Sequence, residues 1–354
     1  MKGLILSGGR GTRLRPITHT SAKQLVPVAN KPILFYGLEA IAEAGIDDIG
    51  IVVGDTHQEI RDAVGDGSRF GCKVTYIQQS APLGLAHAVK ESKPFLKDDP
   101  FVMYLGDNFL REGIQGFVKE FEEHRPDAQI LLVPVPNPQD FGVAELEGTR
   151  VKRLEEKPKE PRSNLALVGV YMFTRSVWDA VDGIRPSKRG ELEITDALQW
   201  LIDHKKTVRS HVITGWWKDT GKLEDMLEAN RMAMSHWETR VEGTIDEAST
   251  VEGAVVVEKG ARVVRSRLRG PLILGPDVLV EDAYVGPFSA IAEGARIIRS
   301  EVEHSIVLER SVIEDVPTRI DSSLIGKDVV VTRSQARPFA HHIMVGDSSR
   351  VELA

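Results

Sequence analysis

Three glycines and an arginine follow the first apolar run and could hold a polyphosphate. Residues 6 to 14 read Leu-Ser-Gly-Gly-Arg-Gly-Thr-Arg-Leu. Gly8, Gly9 and Gly11 let backbone N–H groups approach phosphate oxygens, and a charged fork is added by Arg13. The P-loop ends in Gly-Lys-Ser/Thr and the dinucleotide fingerprint spaces its glycines differently, so neither motif fits. The composition predicts a phosphate loop, with a plain strand-to-helix turn as the alternative.

A second motif begins twelve residues after Gly11, where residues 23 to 33 read Lys-Gln-Leu-Val-Pro-Val-Ala-Asn-Lys-Pro-Ile. Alone, Lys23 would more often be a solvated surface lysine. Together the two motifs resemble the signature of the sugar nucleotidylyltransferase family, and within it the glucose-1-phosphate thymidylyltransferases. The resemblance extends over essentially the whole chain. It implies a Mg²⁺-dependent enzyme that transfers dTMP from dTTP to glucose-1-phosphate, giving dTDP-glucose and pyrophosphate.

The resemblance also implies a nucleotide site and a metal site. The stretch from Gln79 to Ala86 is similar to the family's base-binding loop, in which a Gln amide reads a pyrimidine edge. Asp107 and Asp219 match the family's magnesium-binding acids, although a turn or N-cap role is the alternative for a lone strand-end Asp. Carboxylates on separate elements suit Mg²⁺. The implied nucleotide-binding residues are Gly8, Gly9, Gly11, Thr12, Arg13, Gln79 and Gly84.

Two later motifs resemble the acceptor side of the thymidylyltransferase site. They are Leu-Glu-Glu-Lys-Pro at 154–158 and Pro-Ser-Lys-Arg-Gly-Glu-Leu-Glu-Ile-Thr-Asp at 186–196. The implied sugar-phosphate-binding residues are Gly142, Glu156, Lys157, Gly169 and Arg189. For the two glycines the alternative is a purely backbone role, which is usual for glycines in hairpins and strands. The implied catalytic residues are Arg13, Lys23, Asp107, Lys157 and Asp219.

The elements that position these residues follow an α/β pattern up to Glu238. Short β-branched runs, at 4–6, 49–53, 74–77, 101–105 and 130–135, alternate with longer amphipathic stretches. This alternation predicts a doubly wound, mostly parallel, Rossmann-like sheet, whose ligands bind beyond the carboxyl ends of the strands. Thr56 and Glu59 predict a capping box at one helix start.

After Trp237 the pattern changes to aliphatic residues at every sixth position. The residues in the two registers of this repeat are Ile245, Val251, Val257 and Val263, then Ile273, Leu279, Val285, Ile291 and Ile297. A six-residue period is typical of a parallel β-helix. The resemblance to the long form of the family implies that it is left-handed. We predict a catalytic domain at 1–238 and a β-helix domain at 239–354, with a loop insertion between Val263 and Ile273 and an irregular final part.

Composition limits the setting in which this chain works. Its 354 residues carry a formal charge of −7, which argues against a broad nucleic-acid-binding surface. The single cysteine, Cys72, excludes an intramolecular disulfide framework and a structural Cys-based zinc site. The first apolar run is too short for a signal peptide, and no run of about 18 apolar residues occurs. We expect a cytoplasmic homo-oligomer with no membrane partner.

Three other functions stay open. Gln79 could read uracil as well as thymine, so a UTP-using sugar-1-phosphate uridylyltransferase is the nearest rival. Some relatives acetylate amino sugars with a β-helix, and His304, His341 and His342 could supply a base, although the regular repeat is short. The third is a non-catalytic homologue that senses nucleotide sugars. Such a protein need not retain the five implied catalytic residues, yet all five are present here. Assembly, or a lid over the catalytic domain, is the favoured role of the tail.

Overall fold

The chain forms two compact units in the computed structural model, which describes residues 1–9, 11–334, 337 and 341–353. Arg10, inside the glycine-rich motif, lies outside the described residues. The first unit comprises Met1–Arg10, Ser21–Leu25 and Ile33–Asp219. The second comprises Gly11–Thr20, Val26–Pro32 and Thr220–Ala354. The chain therefore passes several times between the two units before it enters the β-helix.

Strands and helices alternate up to Met234, as the sequence predicts. The strands are β1 (Lys2–Ser7), β2 (Pro27–Val28), β3 (Lys31–Pro32), β4 (Asp48–Val53), β5 (Lys73–Gln78), β6 (Phe101–Leu105), β7 (Asn108–Leu110), β8 (Ala128–Pro134), β9 (Gly142–Glu147), β10 (Arg150–Glu156), β11 (Leu165–Phe173), β12 (Val208–Val212) and β13 (Trp217–Asp219). The helices are α1 (Ile33–Glu43), α2 (His57–Val64), α3 (Leu85–Glu91), α4 (Lys93–Leu96), α5 (Gln115–His124), α6 (Val177–Gly183), α7 (Ile194–Asp203) and α8 (Leu223–Met234). Strands β2 and β3 and helix α8 belong to the second unit.

A mixed sheet forms the centre of the first unit, in the order β5-β4-β1-β6-β11-β8-β12-β10-β9. Strands β5, β4, β1 and β6 are parallel, whereas β11 is antiparallel to both β6 and β8. Both faces are buried: Leu4 and Leu6 lie in one apolar cluster and Ile5 in the other. Successive strand side chains point to opposite faces, so a continuous apolar run is what such a strand needs.

The parallel strands end at one edge of the sheet, where the candidate residues follow them. Gly8 comes directly after β1, Gln79 directly after β5, and Asp107 two residues after β6. The Gly106 N–H donates to the Leu6 carbonyl at 2.9 Å, which ties the end of β6 to the end of β1. The structure thus builds the edge at which ligands of such sheets bind.

The predicted capping box at the start of α2 is wrong. Thr56 precedes the helix with φ −92° and ψ 24°, and its side chain makes no capping hydrogen bond. An N-cap side chain reaches the helix from an extended backbone, which Thr56 does not have. The Glu59 carboxylate instead accepts the Ala22 N–H at 2.6 Å. Glu59 therefore fixes the chain immediately before Lys23.

The remaining strands belong to the second unit and stack into three parallel sheets. They are β14 (Arg240–Val241), β15 (Thr244–Ile245), β16 (Thr250–Glu252), β17 (Val255–Val257), β18 (Arg262–Val264), β19 (Arg267–Arg269), β20 (Leu272–Leu274), β21 (Leu279–Glu281), β22 (Tyr284–Val285), β23 (Ser289–Ile291), β24 (Arg296–Ile298), β25 (Glu301–Glu303), β26 (Ile306–Val307), β27 (Val312–Glu314), β28 (Ile320–Asp321), β29 (Leu324–Ile325) and β30 (Val330–Thr332). The sheets run β14-β17-β20-β23-β26-β29, β15-β18-β21-β24-β27-β30 and β16-β19-β22-β25-β28. The predicted fold class, an α/β domain followed by a left-handed parallel β-helix, is confirmed.

The predicted loop insertion between Val263 and Ile273 is wrong. Strand β19 lies there, and its Leu268 is fully buried between two exposed arginines. The interior residues Val257, Val263, Leu268 and Leu274 are spaced by six, five and six residues. A strict period of six therefore assigns the wrong inward-facing residues after Val263. Leu274 and Val280 face the interior, in place of Ile273 and Leu279. The strand pairing continues to β30, and the described residues after Thr332 contain no strand or helix.

One corner of the β-helix carries a column of charged residues with left-handed backbone. Arg265, Asp282, Arg299 and Asp315 have φ between 45° and 57°. Arg265 donates two hydrogen bonds to Asp282, at 2.8 and 2.7 Å, and Arg299 binds Asp315 in the same bidentate way. The alternating charges therefore stack opposite signs along the corner. Among the described residues, no helix is both long and apolar enough to cross a membrane.

Candidate active site

A buried lysine lies between two carboxylates at the carboxyl edge of the sheet. Lys23 sits in a short 3-10 helix, Lys23–Leu25, and only 7% of its side chain is exposed. Its Nζ donates to Asp107 Oδ2 and lies 3.7 Å from Asp219 Oδ1. Two separate parts of the chain thus bring acids to one ammonium.

The charge of Lys23 governs the protonation of Asp107. Burial alone would raise the pKa of this carboxyl, but the Lys23 ammonium and the hydrogen bonds from Lys23 and Asn108 outweigh that effect. The net result is an Asp107 pKa below its ordinary value. Asp107 is therefore ionised at neutral pH.

Asn108 joins these groups, and sequence reasoning missed it. Its Nδ2 donates to Asp107 Oδ1 at 3.0 Å. Its Oδ1 accepts from the Trp217 indole N–H at 2.6 Å and from the Gly169 N–H at 3.3 Å. The side chain is 2% exposed. Asn108 was visible in the sequence only as the neighbour of Asp107, because its partners lie far along the chain.

Asp219 reaches the site through a short two-stranded sheet. Strands β7 and β13 pair antiparallel, with Asp219 opposite Asn108 and Trp217 opposite Leu110. Residues that face each other in such a pair lie close in space, and aromatic side chains also reach the diagonal neighbour. The pairing therefore sets Asp219 beside the residue that follows Asp107.

The predicted nucleotide side gathers around Gln79. A Cβ built on Gly8 would lie 2.9 Å from Gln79 Oε1, so a side chain at position 8 would displace the Gln79 amide. Gln79 Nε2 donates to the Gly84 carbonyl at 3.3 Å and lies 3.2 Å from His87 Nδ1. His87, at the start of α3, was not predicted. Gln79 thus lies between Gly8 on one side and Gly84 and His87 on the other.

The predicted acceptor side centres on Glu156. Gly142 pairs with Glu156 across β9 and β10, and a Cβ on Gly142 would lie 3.1 Å from Glu156 Oε2. That oxygen accepts the Thr195 hydroxyl at 2.7 Å. Arg189 lies 3.4 Å from Glu156 Oε1 and also pairs with Glu191 at 3.2 Å. Thr195 was quoted in the motif but was not assigned a role.

The two sides are tied together at Gly84 and Leu192. The Leu192 N–H donates to the Leu83 carbonyl at 2.7 Å, and the Ala86 N–H donates to the Leu192 carbonyl at 3.0 Å. Gly84 has φ 106°, and a Cβ there would lie 2.5 Å from the Leu192 carbonyl oxygen. The loop after Gln79 and the segment after Arg189 therefore form one hydrogen-bonded structure.

The remaining candidates lie elsewhere in the two units. Gly11, with φ 63°, precedes a 3-10 helix that contains Thr12 and Arg13, and all three belong to the second unit. The Arg13 guanidinium packs against Gly221, where a Cβ would lie 2.8 Å from it. Lys157 is exposed, with φ 44°, and its N–H donates to the Phe141 carbonyl at 3.0 Å.

Residues 2–236 match the model of the nucleotidyl transferase family. The chain belongs to the nucleotidyl transferase family. This nucleotidyl transferase is 57% identical over 355 aligned residues to a glucose-1-phosphate thymidylyltransferase of Streptomyces griseus, with 100% of both chains covered. The resemblance inferred from the motifs is confirmed.

Two crystal structures resemble the same nucleotidyl transferase. One is a Bacillus anthracis protein proposed to be a glucose-1-phosphate thymidylyltransferase, with TM-score 0.62, 36% identity, and coverage of 66% of this chain and 95% of that one. The other is UDP-glucose pyrophosphorylase complexed with UDP-glucose, with TM-score 0.60 and 25% identity. It covers 66% of this chain and 98% of that one.

The donor atoms of the candidate metal site fit a divalent ion. The family generally uses a divalent metal. Asp107 and Asp219 contribute only carboxylate oxygens, the ligands that hard ions such as Mg²⁺ prefer, and both converge on Lys23. The individual assignments of metal, nucleotide and sugar-phosphate residues stay predictions.

Proposed function

We propose that this nucleotidyl transferase transfers dTMP from dTTP to glucose-1-phosphate and releases pyrophosphate. The observation that carries the proposal is the buried Lys23 between Asp107 and Asp219, beside the glycine-rich edge of the sheet. The full-length likeness to the Streptomyces griseus enzyme supports the choice of substrates.

In the proposed reaction, a phosphate oxygen of glucose-1-phosphate attacks the α-phosphorus of dTTP in line. The bond to the bridging oxygen breaks, and pyrophosphate leaves from the opposite side. No protein nucleophile is required, so catalysis comes from positioning two anions and neutralising their charge. Arg13 and Lys23 bind the leaving pyrophosphate in this scheme, and the backbone of Gly8, Gly9, Gly11 and Thr12 cradles the triphosphate.

Asp107 and Asp219 would hold Mg²⁺. When bound, the ion lowers the cost of charge building up on the phosphates. Lys23 pairs with both acids and holds them close together. Its ammonium thereby serves the metal site as well as the leaving group.

Glu156, Lys157, Gly142 and Gly169 would line the sugar side, and Arg189 with Lys157 would seat the acceptor phosphate. Arg189 lies among three carboxylates, those of Glu156, Glu191 and Glu193. A dianionic phosphate competes well for a guanidinium, because two parallel N–H bonds match its geometry. Binding of the acceptor would then exchange carboxylate contacts for phosphate contacts.

The choice of base depends on Gln79 and on the similarity to known enzymes. Gln79 offers one amide donor and one acceptor, a pattern that suits uracil as well as thymine. The UDP-glucose pyrophosphorylase that shares this fold keeps UTP as the second candidate. Full-length identity to the thymidylyltransferase favours dTTP. We further propose that the protein is cytoplasmic, in line with its single cysteine. We also propose that it forms a homo-oligomer.

One assay separates these functions. The protein and Mg²⁺ are incubated with glucose-1-phosphate and each nucleoside triphosphate in turn, and pyrophosphate is measured. We expect a higher kcat/KM with dTTP than with UTP; the reverse order would make the protein a uridylyltransferase. No release with any pair would support a nucleotide-sugar-binding regulator, and acetyl-CoA consumption with an amino sugar phosphate would reveal acetyl transfer.

A further inference from the structure

We infer that Asn108 is a positioning residue that fixes the Asp107 carboxylate and locks it to the strand that carries Asp219. The inference rests on the proposed metal-holding role of the two acids. It assigns to Asn108 and Trp217 a function in metal binding that acts through Asp107.

The three contacts of the Asn108 amide define its orientation. Oδ1 accepts two N–H groups, from Trp217 and Gly169, and Nδ2 donates to a carboxylate. A flipped amide would face NH₂ toward two donors and oxygen toward an anion, so only one orientation satisfies the hydrogen bonds. Burial makes this choice strict, since a hydrogen-bonding group left without a partner inside a protein loses its hydration and gains nothing in return.

The orientation leaves one N–H of Asn108 directed at Asp107 Oδ1, while Lys23 binds Oδ2. The two carboxylate oxygens are therefore held by different partners, and the plane of the carboxylate is fixed. A carboxylate that is already oriented loses little conformational freedom when it binds an ion. Partners of this kind behind a metal ligand commonly contribute about 10- to 100-fold to metal affinity.

Trp217 extends the arrangement to the second acid. It lies two residues before Asp219 in β13, and its indole N–H bond to Asn108 is 2.6 Å long. Phe141 packs on its ring edge-on, with centroids 5.5 Å apart. The indole is thus held from two sides, and its N–H bond to Asn108 adds a side-chain link to the backbone pairing of β7 and β13 that brings the two acids together.

Gly169 completes the cradle. A Cβ built there would lie 2.7 Å from Asn108 Oδ1, closer than side-chain contacts allow. Glycine on β11 thereby lets the amide sink into the sheet and receive the backbone N–H. The geometry gives Gly169 a physical role in placing Asn108.

The test measures metal binding apart from turnover. Mn²⁺ is titrated into the full chain with dTTP but no sugar phosphate, and water-proton relaxation reports the bound ion. The variants are Asn108→Ala, which removes both halves of the amide, and Trp217→Phe, which keeps a ring but removes the N–H. Gln129→Leu is the control. Gln129, on β8, is another fully buried amide, and it donates to the Phe117 carbonyl.

We expect Asn108→Ala to weaken Mn²⁺ binding about 10-fold or more, and Trp217→Phe to weaken it less but in the same direction. Gln129→Leu should lower thermal stability without changing Mn²⁺ affinity. If folded Asn108→Ala binds Mn²⁺ as tightly as wild type, or if Trp217→Phe alone does, the inference is wrong. Asp107→Asn is measured in parallel: normal Mn²⁺ binding by that variant would instead overturn the proposed metal site.

Discussion

At the residue scale, Asp107 combines burial with an intact charge. Its pKa is held below the ordinary value because the Lys23 ammonium and two side-chain hydrogen bonds outweigh desolvation. Such a group is a good ligand for a cation and a poor proton donor. This argues for an electrostatic role and against general acid catalysis by Asp107.

Replacing Asp107 by Asn tests that role with almost no change in shape. We expect kcat at saturating Mg²⁺ to fall about 10²-fold or more, since lost electrostatic contacts at reacting phosphates commonly cost that much. Circular dichroism should show an intact fold. An exposed control on α2, Asp62→Asn, should keep wild-type kcat, and more than a tenth of kcat in Asp107→Asn would remove Asp107 from the proposed site.

Gly142 offers a second test on the acceptor side. A Cβ there would lie 2.6 Å from Leu167 Cδ1, 3.0 Å from Thr195 Oγ1 and 3.1 Å from Glu156 Oε2. Gly142→Ala should therefore displace Glu156 and raise KM for glucose-1-phosphate about tenfold or more, with KM for dTTP unchanged. Gly116→Ala, on α5 with nothing close to a new Cβ, is the control. A parallel rise in both KM values would argue against a sugar-side role.

At the element scale, the β-helix depends on which aliphatic residues face inward. Leu274 is fully buried in the interior cluster, whereas Leu279 is only partly buried and lies outside that cluster. We expect Leu274→Ala to lower the free energy of unfolding by about 2 to 5 kcal/mol. The chemically identical change Leu279→Ala should cost less than half as much. Scanning calorimetry compares the two, and equal losses would contradict the register.

The charged corner of the β-helix gives a pH-dependent prediction. Hydrogen bonds from Arg265 and Arg299 lower the pKa of Asp282 and Asp315, respectively. A carboxyl whose pKa is lower in the folded than in the unfolded state stabilises the folded protein at pH values above its unfolded pKa. This stabilisation is lost as the pH falls through the folded-state pKa. Asp282→Asn/Asp315→Asn should thus melt below wild type at neutral pH in low salt. The difference should shrink as pH falls below 3.8, the ordinary pKa of Asp, and in about 1 M salt; a constant difference would point to another cause.

The sequence predicts elements of this fold better than it predicts register. The runs that became β1, β4, β5, β6 and β8 are visible because each is apolar and bounded by turn residues. The register of the β-helix interior is harder to predict. Leu272, Ile273 and Leu274 are all aliphatic, but only Leu272 and Leu274 belong to the interior cluster. Leu268 was missed because arginines flank it and the spacing there is five residues.

Part of the candidate site was equally accessible from sequence. Lys23, Asp107 and Asp219 were assigned from motifs, and the structure brings their side chains together. Asn108 could not be recognised, since its function depends on Trp217 and Gly169, residues on strands far along the chain. Motifs record residues beside a reacting group, whereas buried hydrogen bonds between distant strands leave little local pattern.

At the scale of the whole molecule, the two compact units are not consecutive in sequence. Ala29 and Asn30 belong to the second unit with α8 and the β-helix. Asn230 on α8 accepts the Ala29 N–H at 2.8 Å and donates to the Phe288 carbonyl at 2.8 Å. Asn30 donates to the Ile291 carbonyl at 2.8 Å. The segment after Lys23 is thus fastened to the β-helix.

A chain cut after Glu238, the predicted domain boundary, tests this attachment. The fragment 1–238 would leave Asn30 and Asn230 without their β-helix partners, and each lost bond costs about 1 to 3 kcal/mol. We expect a lower melting temperature than full length and loss of pyrophosphate release. A stable, fully active fragment would show that the β-helix is not needed for the fold or activity of residues 1–238.

The interleaving of the units also affects synthesis of the protein on the ribosome. Residues 26–32 emerge early, but the α8 and β-helix residues that hold them lie beyond Thr220. At translation rates of about 5 to 20 residues per second, the wait is on the order of 10 to 40 seconds. Throughout that interval the Ala29 N–H and the Asn30 amide lack the partners that the finished protein provides, so this segment cannot complete its packing until α8 and the β-helix are made.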